Sequence, residues 1–316
     1  MSESFDPYVV EEFHGLSVEK LLSAPPDALY GLSPGDAQHL LEAFGIRTVR
    51  DMAENRFFRH ALAILAAAGT PNFDPGPPPE WEDFFAAAPL DYYQEHPDHR
   101  FRLEFGPVYY RGRLDGTARV LVVGQDPATN ELLGHRVFVG RSGQRVQGFL
   151  KKLGITRSYV MLNAFLYSVF GQFDTELRNI SLEPAILDYR NAFLDRLLEE
   201  NPIQAVVSFG NGAHHAVEHW PGSASLPAFE AMHPAAHDQS ALLATWNDAL
   251  EGLRPIVAPD DGAQADSEPY GTAFLGEDQV AIPRFDLPFG LPEWHGVGGG
   301  HSERQGNERI VWKSPQ

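Results

Sequence analysis

The stretch that most constrains the fold is residues 118–130, ARVLVVGQDPATN. An unbroken run of Val and Leu bounded by Gly and Pro suits a strand buried on both faces of a parallel sheet, since such a strand has no solvent side to supply with polar residues. Loops that leave the C-terminal ends of parallel strands are where these sheets bind ligands. Gly124-Gln125-Asp126-Pro127 is such a loop, so Asp126 is expected in a cleft; the plainer alternative is that Asp-Pro only starts a turn.

Strand candidates at 118–124, 159–163, 205–209 and 228–232 alternate with helix candidates at 143–153, 184–200 and 212–219, and a last helix candidate follows at 240–253. Alternation of this kind calls for a mainly parallel sheet covered on both faces. The expected fold is α/β, a three-layer α/β/α sandwich around a central, mainly parallel four-stranded sheet, over residues 105–259. Residues 1–69 show helical spacing in short pieces. There GLSPGDAQHLLEAFGI offers a Ser33 cap, Pro34 in the first turn and a Gly45-Ile46 break. This piece resembles helix-hairpin-helix-like modules, but Asp36, Glu42, Asp51 and Glu54 give it an acidic face, which favours a protein partner or a structural role over DNA. Residues 70–104 are a Pro-rich, acidic connecting segment in which Trp81, Phe84, Phe85, Tyr92 and Tyr93 imply an extended stretch packed on the next domain. Residues 260–316 are a partly flexible C-terminal extension, with a glycine hinge at 298–300 and an edge-strand candidate at 309–312.

The chain has 24 basic and 43 acidic residues, a net charge of −19, which argues against broad attraction to phosphate backbones. Residues 135–173 nevertheless contain no acid, while Arg136, Arg141, Arg145, Lys151, Lys152 and Arg157 fall there, as one basic face on an acidic body would require. With no cysteine, the chain offers no disulfide, thiolate zinc site, cysteine nucleophile or cysteine-ligated iron-sulfur cluster. The N-terminus lacks a signal-peptide pattern and no apolar run approaches a membrane span, so a monomeric cytoplasmic protein without cofactor or metal is expected.

Four separated pieces carry the chemistry: GQDPA at 124–128, VFVGRSGQ at 137–144 leading into a helix, YVMLNA at 159–164, and MHPAAH at 232–237 after the last strand. Their set and order resemble the uracil-DNA glycosylase superfamily over about half the chain. GQDP is similar to the first motif of the classical uracil-DNA glycosylases, FVGRSGQ to the thermophilic iron-sulfur branch, and His233-Pro234 to the second motif throughout. The resemblance implies a DNA glycosylase that flips a uracil or related base and hydrolyses its N-glycosidic bond, leaving an abasic site.

Such cleavage develops positive charge on the sugar and negative charge on the departing base. A carboxylate near the sugar suits Asp126, and a donor near the base oxygen suits His233. Asn163 can hold an imide edge through its donor and acceptor, Phe138 can stack on the extruded base, and Gln125 lines the pocket. Arg141 and the amides around Ser142 and Gly143, at a helix start, can hold a DNA phosphate. Blander readings stand beside these: Phe138 as simple core, Asn163 as a turn cap, His233 as a structural histidine.

Two departures from the resemblance matter. Ala128 stands where the classical enzymes have a Tyr that closes the pocket against a 5-methyl group, so a glycosylase for a 5-substituted base, acting on foreign DNA for example, is an alternative. His237 stands where they have a Leu that wedges into the duplex. A non-catalytic base reader or scaffold is a further alternative. No lysine lies in the motifs to form a Schiff base, so the reaction would be monofunctional. GHRVFVGRS has neither the spacing nor the Lys of a phosphate-binding P-loop, and the histidines at 214, 215 and 219 lack a recognised metal partner.

Overall fold

The computed structural model describes residue 5, residues 8–58, residue 60, residues 73–288 and residue 291. The glycine hinge and edge strand expected at 298–300 and 309–312 lie outside the described residues. The chain divides into two compact units, Met1–Asn72 and Phe73–Gln316.

In the first unit, α1 (Val18–Ser23), α2 (Pro34–Phe44) and α3 (Val49–Glu54) are short helices. Ser33 and Asp36 form a reciprocal cap on α2, Gly45 ends it in the left-handed conformation, and Thr48 and Asp51 cap α3 in the same way. Asp36 and Asp51 are therefore engaged by backbone amides at helix starts, and hydrogen bonds from Ser33 and from the Arg47 amide hold their pKa values down.

The second unit opens with α4 (Glu82–Ala86) and α5 (Leu90–Glu95), followed by β1 (Phe101–Arg102), β2 (Tyr110–Gly112) and β3 (Val120–Gly124). Next come α6 (Thr129–Gly134), α7 (Arg141–Lys152), β4 (Tyr159–Asn163), β5 (Ser168–Val169), α8 (Thr175–Ile180) and α9 (Pro184–Glu200). β6 (Ala205–Phe209), α10 (Asn211–Glu218), β7 (Ala228–Ala231) and α11 (Gln239–Leu253) complete the series. The main sheet runs β2-β4-β3-β6-β7, with β3 parallel to β4 and β6, β6 parallel to β7, and β2 antiparallel to β4.

The sheet thus has five strands, where four were expected. β2 escapes a pattern search because it is short and its central residue is Arg111, a residue type normally left in water. Arg111 is fully buried, and its charge is met by Asp286, 3.5 Å away and itself fully buried. Asp286 also pairs with Arg113 and accepts from the Tyr159 hydroxyl. The segment over 260–288 therefore supplies the counter-ion that lets an arginine-bearing strand join the sheet.

Successive residues of β3 alternate between two cores, as the twofold strand period requires. Leu121 and Val123 pack with Phe193, Leu194 and Leu197 of α9 and Ala213 and Ala216 of α10. Val120 and Val122 pack with Val146, Phe149 and Leu150 of α7 and Leu242, Leu243 and Trp246 of α11. Two apolar faces explain why the run contains no polar residue.

Residues 73–104 are more than an extended strap. Trp81 is fully buried, stacks on Phe85 at 5.7 Å and meets Phe193 at 5.5 Å, so this segment belongs to the α9 side of the core. The basic stretch is likewise not one open face. Arg136 pairs with Asp74 at 2.6 Å, Lys152 with Asp266 at 2.7 Å, and Arg145 is buried. Asp74 and Asp266, distant in the chain, thus neutralise Arg136 and Lys152.

Candidate functional site

β3 and β4 end level, with Gly124 paired to Asn163, and β7 ends at Ala231 beside Phe209 of β6. Beyond these C-terminal ends lies a cavity of about 440 Å³. Gln125, Asp126, Ala128, Phe138, Arg141, Ser142, Asn163, His233 and His237 all line it, so residues up to 112 positions apart in sequence meet at one place. Gly143 does not line it: a side chain there would collide with the Phe138 carbonyl, so this glycine admits a close backbone approach.

Asp126 is held at both carboxylate oxygens. Gln125 Nε2 donates to Oδ1 at 2.9 Å and the Val169 amide donates to Oδ2 at 2.9 Å, leaving each oxygen a further lone pair. Gln125 thus reaches the pocket as the partner of Asp126. Burial pushes the Asp126 pKa up, the Val169 and Gln125 donors and Arg102 oppose this, the Glu131 charge adds to it, and the result is about 6.

Phe138 is both core and wall. It packs edge-on to Phe209 at 6.2 Å and also lines the cavity. Its backbone sits in the left-handed region at φ 55°, a conformation that disfavours an aromatic residue by roughly 1–2 kcal/mol. Gly143 makes room for it, and Glu131 fixes it. The Glu131 carboxylate accepts from the amides of Ala128 (3.1 Å), Val139 (3.2 Å) and Gly140 (3.4 Å), joining the loop of Asp126 to the loop of Phe138. Burial raises the Glu131 pKa against these amides. Gly124 serves the same closeness from below, because any side chain there would strike the Asn163 amide and the Phe138 ring.

Asn163 is 6% exposed. The turn after β4 is closed by backbone bonds, Ala164 N–H to the Gly124 carbonyl at 2.9 Å and Phe165 N–H to the Gln125 carbonyl at 3.0 Å. The Asn163 side chain is not the cap of that turn.

His233 follows β7 by two residues. The Ala235 amide donates to its Nδ1 at 3.1 Å, so Nδ1 is an acceptor and the neutral ring carries its proton on Nε2. His233 is exposed at the cavity mouth, yet the protein around its imidazole lowers the pKa, which favours this neutral form. A neutral ring with a free Nε2–H is a hydrogen-bond donor that brings no charge of its own.

Sequence reasoning missed Glu131, Asn130 and Gln239, which also line the cavity, and Val169, which fixes Asp126; Arg145, assigned to a basic face, lines the cavity as well. Glu131 lies three residues after the Ala128 amide that it caps, and that spacing was the available signal. His215, Glu218 and His219 bring ligand-type atoms within 4.8 Å of one another, giving the histidines an acidic neighbour that the sequence reading overlooked. Both nitrogens of His215 lie 3.3 Å from Arg178, Nδ1 from its Nη1 and Nε2 from its carbonyl, which leaves that ring engaged.

Among known protein families, the model described as the Uracil DNA glycosylase superfamily matches residues 112–251. No curated protein matches the chain.

Proposed function

We propose that this chain, whose residues 112–251 are a domain of the uracil DNA glycosylase superfamily, is a monofunctional DNA glycosylase that takes an extruded uracil or related base into the cavity beyond β3, β4 and β7. The convergence of Asp126, Phe138, Asn163 and His233 on one cavity is the observation that carries this reading.

The roles follow from the local chemistry. Phe138 offers its ring to the base, and its strained backbone is held by Glu131 and Gly143. Asn163 presents one acceptor and one donor group to the imide edge. As the C1′–N bond breaks, the electron pair leaves with the base, and His233 Nε2–H donates to the developing anion on the base oxygen. Asp126, ionised above about pH 6, stabilises the positive sugar and accepts the proton of the water that attacks C1′. A base with a pKa near 6 is charged at neutral pH, yet more basic than an ordinary carboxylate. Arg141 and the Ser142 end of α7 are suited to a phosphate of the same strand, and His237 to the space left in the duplex.

Ala128, exposed on the cavity wall, favours a second reading in which the base carries a 5-substituent. Base release from oligonucleotides containing uracil, mismatched thymine, hypoxanthine or 5-substituted pyrimidines tests both, with Asp126→Ala and His233→Ala as controls. Uracil release lost in either variant supports the first reading. Release of only the larger pyrimidines supports the second, and binding without release of any base would replace both with a non-catalytic reader.

A further inference from the structure

We propose that Phe274, in the C-terminal segment beyond the family-matched residues, is a positioning residue that holds the His233 loop in place; the inference rests on the role given to His233 above. The backbone on either side of His233 is tied to the scaffold at three points. The Met232 amide donates to Thr245 Oγ1 at 3.0 Å, and the Met232 carbonyl accepts from Trp246 Nε1 at 2.9 Å, both on α11. The Pro234 carbonyl accepts from Arg145 Nη1, on α7.

Two of these three donors rest on the same ring. Phe274 meets Trp246 edge-on with centroids 5.3 Å apart, and the Arg145 guanidinium lies 4.1 Å from the Phe274 centroid. The Phe274 amide donates to Gln239 Oε1 at 3.3 Å, at the first residue of α11. One residue from outside the family-matched stretch therefore touches α7 and α11 at the points from which they grip the loop.

The loop needs this support. Within it, the Ala236 amide donates to the His233 carbonyl at 2.9 Å and the Ala235 amide to the imidazole, and no regular element continues past Ala231 until Gln239. Arg145 needs it as well. Arg145 is buried, its Nε has no partner, and no carboxylate pairs with it among the described residues. Burial, joined by the Arg141 charge, lowers its pKa to about 10. A buried cation without an anion is retained where a carbonyl and an aromatic face compensate it, and here these are Pro234 and Phe274. Without the ring, the guanidinium gains by turning toward water and releases the Pro234 carbonyl. His233 Nε2 then loses its fixed position relative to the base oxygen.

The test compares the full chain with Phe274→Tyr, Phe274→Leu and Phe274→Ala. Hydrogen exchange of residues 231–237, affinity for a uracil-containing oligonucleotide and the single-turnover rate of base release are measured for each. In Phe274→Ala, exchange of that loop should accelerate about tenfold relative to the rest of the chain. The release rate should fall on the order of 10- to 100-fold while affinity changes less than about threefold, because misplacing a catalytic group affects the reacting state more than binding. Phe274→Leu, which keeps apolar bulk but removes the π face, should behave similarly, and Phe274→Tyr should stay close to the wild type. Unchanged loop exchange and rate in Phe274→Leu would overturn the proposal, as would faster exchange spread over the whole chain. If the wild type releases no base, the glycosylase reading fails separately, and loop exchange still decides whether Phe274 holds the loop.

Discussion

Asp126 and His233 are held in contrasting ways, although they line the same cavity. Asp126 is gripped directly, with one hydrogen bond on each carboxylate oxygen, whereas His233 is gripped mainly through the backbone of its neighbours Met232 and Pro234. The surrounding protein moves both toward their neutral forms: the carboxyl pKa rises to about 6, and the imidazole pKa falls although His233 keeps an exposed surface. In the proposed reaction the neutral imidazole is the required donor, so the direction of its shift and its proposed role agree. In the proposed reaction the aspartate must be charged, and its burial makes that form more basic at a cost in stability. One physical effect thus suits the two groups to their proposed roles in opposite senses.

The sharpest way to break this comparison is Asp126→Asn, which should lower single-turnover base release by roughly 10³- to 10⁴-fold. Its stability should move the other way. With the folded pKa raised to about 6, the neutral carboxyl is favoured in the fold, and this advantage, complete below about pH 4, is lost as pH rises through 6. Ionised Asp126 therefore costs the fold roughly 3 kcal/mol at pH 8, so Asp126→Asn should raise the melting temperature at pH 8 and not at pH 4. A pH-independent difference would contradict a desolvated carboxyl.

His233→Ala should lower release less, by roughly 10²- to 10³-fold, the usual loss for one donor to a developing anion. The pH profile sharpens the distinction. Wild-type release should climb about tenfold per pH unit up to about pH 6 and then level off. His233→Ala should keep that limb at a lower rate, whereas Asp126→Asn should lose it. A limb that disappears with His233 instead would reverse the two roles.

Ala128→Tyr tests the cavity wall. Uracil release should change little, while release of a base with a 5-methyl group should fall about tenfold or more, as expected for one methyl group meeting a closed wall. The smallest effect is expected from Arg141→Ala: the dependence of log affinity on log salt should flatten by about one, with little change in the release rate at saturation. A salt slope equal to the wild type would remove Arg141 from phosphate contact.

Much of this architecture was legible because its signals are local. An apolar run such as 120–123 has no stable solvent-facing arrangement, and its alternation between two cores follows from the strand period. The motif residues were legible because a strand end fixes what comes next: Asp126 after β3, Asn163 at the end of β4, His233 after β7. β2 was not legible, because its signature is an arginine whose acid, Asp286, lies 175 positions away.

The sequence by itself determined the α/β alternation, the Ser33 cap of α2 and the candidate side chains, since propensity, capping and hydrophobic period act over a few residues. Only the tertiary structure decided which of these meet and in what state. The raised pKa of Asp126, the buried Arg111–Asp286 pair and the ion pairs of Arg136 and Lys152 depend on burial and on partners brought from far along the chain. Desolvation and long-range contact are properties of a packed interior, and no local pattern encodes them.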